Sequence, residues 1–115
     1  MDSSKYRDGT CLKDSLCFII NKKPDVVPDF HKLPVTTWKL AFFSWIESQG
    51  YSVSETTERP DGQYIGIFRT YFKDSGQKGV LHAVVCKDQE VIFDILDPNN
   101  PIFRVGEFVK AFVIT

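Results

Sequence analysis

Helix-forming patterns fill the first half of this chain and strand-forming patterns the second, and that order restricts the fold more than any other feature. Leu12, Leu16, Ile19 and Ile20 recur at helical spacing behind Thr10, a fair N-cap, which predicts a helix from about Cys11 to Asn21. Pro24 and Pro28 keep the following KKPDVVPDF out of a long helix. A second helix is expected after Pro34, capped by Thr36 or Thr37 and stopped at Gly50, with Trp38, Ala41, Phe42, Trp45 and Ile46 as a wide apolar stripe that reads as packing. From Tyr51 onward, YSVSE, QYIGIFRTYF, GVLHAVVC, EVIFDIL and EFVKAFVIT are rich in β-branched and aromatic residues, with turn signals between them. The expectation is an α+β fold, N-terminal helices packed on a mostly antiparallel sheet of about five strands. With no internal repeat, low-complexity tract or long linker, residues 1–115 are expected to form one domain.

Several function classes drop out at this stage. Charges of both signs are spread along the whole chain and sum to −1, so nothing builds the basic face of a nucleic-acid binder. No apolar run approaches the roughly 20 residues of a membrane span, and MDSSKYRDGT is too polar for a signal peptide. No membrane partner is expected, and the setting is read as cytoplasmic. Cys11, Cys17 and Cys86 are an odd count, without a CxxC pair or a Cys/His cluster at zinc-ligand spacing. Reduced thiols, no metal and no cofactor are expected. Cys17, among Leu16, Phe18, Ile19 and Ile20, reads as a core residue, and Cys86, at a strand end, as half-buried.

Cys11 differs from the other two because it falls where a helix is expected to begin, and there the unpaired N–H groups and the axial dipole favour a negative charge. A thiol nucleophile also needs an imidazole to take and return its proton, and a polar group to hold the imidazole's other nitrogen. The short connection KDQE supplies both. If the chain turns about Asp88-Gln89, residues whose numbers sum to about 176 or 177 face each other across the hairpin. At the lower sum His82 and Asp94 are directly opposed, with Cβ atoms about 5 Å apart. Asp97, just beyond in LDPN, is the alternative orienter.

The segments TCLKDSLCFIINKKPDVVPDF, WKLAFFSWIESQGY and HAVVCKDQEVIFD together resemble a group of small papain-like cysteine peptidase-like domains of bacteria and their phages, related to the bacteriocin-processing peptidases. The third segment is the most specific, because that group has a His-Ala-Val-Val strand followed, after a short hairpin, by an aspartate. The resemblance spans about Asp8 to Asn99 and implies a papain-like fold with Cys11 as nucleophile, His82 as base and Asp94, or Asp97, as orienter. Where the group often carries an amide side chain just before the cysteine, this chain reads Asp8, Gly9 and Thr10. That leaves substrate and oxyanion binding to the helix start: Asp8, Thr10, and the backbone N–H groups of Cys11 and Leu12.

Two functions of different class follow. One is a cysteine hydrolase cleaving an amide, an isopeptide or a related acyl bond; a chain this short has little room for extended peptide subsites. The other is a catalytically inactive papain-like module that binds a small molecule or blocks a protein, since one fold hosts unrelated functions. Either is compatible with an oligomer formed through the aromatic-rich strands.

Overall fold

A computed structural model describes residues 8–96 and 99–115 of the chain, with the side chains of residues 8–10 and 31 outside the description. Among the described residues, two α-helices, α1 (Asp8–Ile20) and α2 (Trp38–Ser48), flank two short 3-10 turns, Pro24–Val26 and Phe30–Lys32. Five strands follow: β1 (Val53–Thr56), β2 (Gln63–Phe72), β3 (Lys78–Lys87), β4 (Glu90–Phe93) and β5 (Phe103–Ile114). They form one sheet in the order β1-β5-β2-β3-β4, with every described pair antiparallel. The α+β class with helices on an antiparallel sheet is therefore the observed architecture.

Both helices end as their sequences dictate. Asn21 takes the left-handed conformation (φ 56°) after α1, and the Lys22 N–H closes back onto the Cys17 carbonyl; Gly50 (φ 91°) and the Tyr51 N–H do the same for α2 at Ile46. The start of α1 departs from expectation. Residues Asp8 to Thr10 are already helical, so Thr10 lies inside α1 and is not the N-cap. Thr37 does occupy the N-cap of α2, but its hydroxyl bonds the Pro34 carbonyl instead of a helix N–H.

Strand alternation divides the core between the two faces of the sheet. Ile65, Ile67, Ala83 and Phe112 pack with Leu12, Leu16, Ile20, Phe42 and Ile46 on the helical side. Tyr64, Phe68, Val84, Cys86 and Ala111 form a second cluster on the other. The apolar stripe of α2 is core, with Phe42 packed edge-on against Phe30 and tilted against Phe112. Cys86, expected half-buried, is fully buried, packed with Tyr64, Phe68 and Val84 in that second cluster.

Candidate active site

β4 stops pairing with β3 at Phe93, opposite Val85, leaving the edge of β3 uncovered from Ala83 backward. An antiparallel strand points the N–H and C=O of one residue toward the same neighbour, and those of Ala83 require partners where β4 has ended. α1 supplies them: the Ala83 N–H donates to Cys11 Sγ at 3.2 Å, and Ser15 Oγ donates to the Ala83 carbonyl at 3.3 Å. Cys11 and Ser15, four residues apart, share one face of the helix. Together they take the place of the missing strand, which sets the sulfur at the edge of β3.

His82 precedes Ala83. Alternation turns its ring to the side of Val84, so imidazole and sulfur meet around the strand edge and not across a face of the sheet. The ring is 3% exposed. Its Nε2–H donates to Asp94 Oδ1 at 2.6 Å, and the Cys11 side chain is its second hydrogen-bonding partner. Asp94 is 25% exposed on its side chain, and the same Oδ1 accepts the Leu96 N–H at 2.8 Å, so the turn after β4 aims the carboxylate. Burial alone would lower the pKa of His82; the hydrogen bonds to Asp94 and Cys11, with their charges, outweigh it and raise the imidazole from 6.5 to about 9.

His82 and Asp94 meet by a different route from the one expected. The hairpin pairs Lys87 with Glu90 and Cys86 with Val91, then a bulge shifts the register so that Val85 faces Phe93. The observed register therefore does not place residue 94 opposite residue 82, as the lower of the two expected sums would. Asp94 reaches the ring only after leaving the ladder, from a chain that turns back toward β3.

The structure brings Cys11, His82 and Asp94 together. Leu12, expected to offer a backbone N–H, lies inside α1, where a helix directs that group at the carbonyl of Asp8; its side chain is buried in the core. The side chains of Asp8 and Thr10 lie outside the described residues, as does the alternative orienter Asp97. Sequence reading missed Ser15, whose signal was a polar residue inside an apolar helical stripe, one turn from Cys11. Cys11, Cys17 and Cys86 form no disulfide, and the described residues contain no group of three or more His, Cys, Asp or Glu able to hold a metal. Beyond Asp94, a cavity of about 380 Å³ opens on the second face between Val84, Val91, Phe103 and Arg104. No described helix is long and apolar enough to cross a membrane. Compared with protein-family models, characterised proteins and solved structures, the chain matches none.

Proposed function

We propose that this chain is a papain-like cysteine hydrolase, with Cys11 as nucleophile, His82 as general base and then acid, and Asp94 holding the imidazole. The observation that carries the reading is one buried ring, His82, with a carboxylate on Nε2 and the Cys11 side chain as its other hydrogen-bonding partner. In the proposed reaction His82 takes the thiol proton of Cys11, leaving sulfur as the nucleophile. Sulfur then bonds the substrate's carbonyl carbon. As the carbon–nitrogen bond breaks, His82 returns the proton to the departing amine. Water attacks the thioester with His82 taking its proton, and the acid leaves as Cys11 recovers its hydrogen. The proposed substrates are a short peptide tail, an isopeptide or a small amide, and the proposed setting is the cytoplasm of a bacterium, as a host or a phage protein.

The test is capture of the acyl-enzyme. With p-nitrophenyl acetate, one equivalent of nitrophenol should appear in a burst, and peptide mapping should find the acetyl group on Cys11. Cys11→Ser and His82→Ala should abolish both. Acetylation elsewhere, or none, contradicts the reading.

The burial of Cys11, 2% exposed with its sulfur accepting the Ala83 N–H, favours a second reading. Here the thiol is a structural acceptor and the fold binds a ligand, with the cavity beside Asp94 as its seat. A native protein whose Cys11 resists acylation, while a bound ligand perturbs Asp94, is the outcome that selects it.

A further inference from the structure

The turn that carries β4 lacks the glycine favoured by tight hairpins, yet Asp88 takes a left-handed conformation (φ 57°), uncommon for a non-glycine residue. Contacts from outside the hairpin hold it there. Gly62 exchanges two hydrogen bonds with Asp88, its N–H donating to Oδ1 at 2.7 Å and its carbonyl accepting the Asp88 N–H at 2.8 Å. The buried Tyr64 hydroxyl donates to the Asp88 carbonyl at 2.6 Å and accepts from Arg59 Nε at 2.7 Å. Arg59 Nη2 donates to the Gln89 carbonyl at 3.1 Å, with its guanidinium 5.4 Å and 5.7 Å from the ring centres of Phe68 and Phe108.

β4 needs this support. It is a four-residue edge strand, already bulged against β3, with Val91 and Ile92 exposed. A one-residue slip would move Asp94 by about 3.3 Å and turn it to the other face. The 2.6 Å contact with His82 would not survive that displacement.

We propose that Tyr64 and Arg59 are positioning residues, which fix the register of β4 through the Asp88–Gln89 turn and thereby hold Asp94 against His82. They touch neither the imidazole nor the thiol. The inference rests on the hydrolase reading for its kinetic consequence alone.

The experiment is a ring-nitrogen NMR titration of His82 in the full chain, comparing wild type, Tyr64→Phe and Arg59→Lys, with Tyr71→Phe as a control. The control loses a different hydroxyl contact, to Glu107, at an exposed site. His82 faces two titratable groups, Asp94 beyond β4 and Cys11 on α1, and the variants are expected to disturb only its contact with Asp94. Its midpoint should fall by about 0.5–1 pH unit in both variants and stay fixed in the control. Adding Asp88→Asn to Tyr64→Phe should restore it, because Asn favours the left-handed conformation and keeps an oxygen for the Gly62 N–H. A folded Tyr64→Phe or Arg59→Lys with the wild-type midpoint overturns the inference; if Tyr64→Phe does not fold, Arg59→Lys decides alone. The titration needs no turnover, so its failure is distinct from a failure to acylate Cys11.

Discussion

Asp94→Asn removes a charge from the site while leaving its shape in place. The amide oxygen still accepts from the Leu96 N–H, and the side chain keeps its volume beside His82. What disappears is the ionic character of the 2.6 Å bond to Nε2. A hydrogen bond to a charged group is worth about 1.5–3 kcal/mol, and partial exposure of Asp94 favours the lower half of that range. Converted to protonation equilibria, this is about 1–2 pH units, so the His82 midpoint should fall from about 9 to about 7–8, still supported by Cys11. Long-range nitrogen–proton NMR reads the ring directly, and His31→Gln assigns which of the two histidines is which. A wild-type midpoint at or below 6.5, or one that Asp94→Asn leaves unchanged in a folded protein, would refute the electrostatic reasoning.

Stability should follow the same proton. Because the folded-state value of His82 lies above the ordinary 6.5, its contribution is complete below that pH and lost as pH rises through about 9, a difference of about 3 kcal/mol in urea unfolding that Asp94→Asn should reduce. Ser15→Ala should cost about 1 kcal/mol by leaving the Ala83 carbonyl without its helical partner, and should slow acylation of Cys11 by loosening α1 on β3. Gly66→Ala places a Cβ 2.8 Å from a Phe68 ring carbon and 3.2 Å from Cys86 Sγ, so urea unfolding should show a loss of about 1–3 kcal/mol.

Periodicity made the helices and most of the sheet legible, since the apolar stripe of α2 and the β-branched runs each have one natural packing. The margins were less legible for local reasons. Pro101 hid the start of β5 at Phe103, because a proline next to a strand reads as loop. β4 ended at Phe93 although EVIFDIL continued its apolar character, because Asp94 leaves the ladder to bond His82. The three groups of the candidate site were all visible as residue types, and the His82–Asp94 contact followed from a hairpin, but its register did not, since a bulge has no sequence signature as plain as a turn. Nothing local in ERPDG suggested that Arg59 would reach a turn 30 positions away. Such contacts depend on which strands become neighbours.

The most direct measurement of whether sulfur, imidazole and carboxylate work as one unit is the rate of iodoacetamide alkylation at each cysteine of the native protein, read by peptide mapping. All three thiols are buried, so burial does not separate them: Cys11 should react first through its contact with His82 and lose most of its rate in His82→Ala, while Cys17 and Cys86, whose pKa values burial raises, stay unmodified until the chain unfolds. Alkylation of Cys11 no faster than that of the core thiols, or a rate indifferent to His82→Ala, would contradict the assignment.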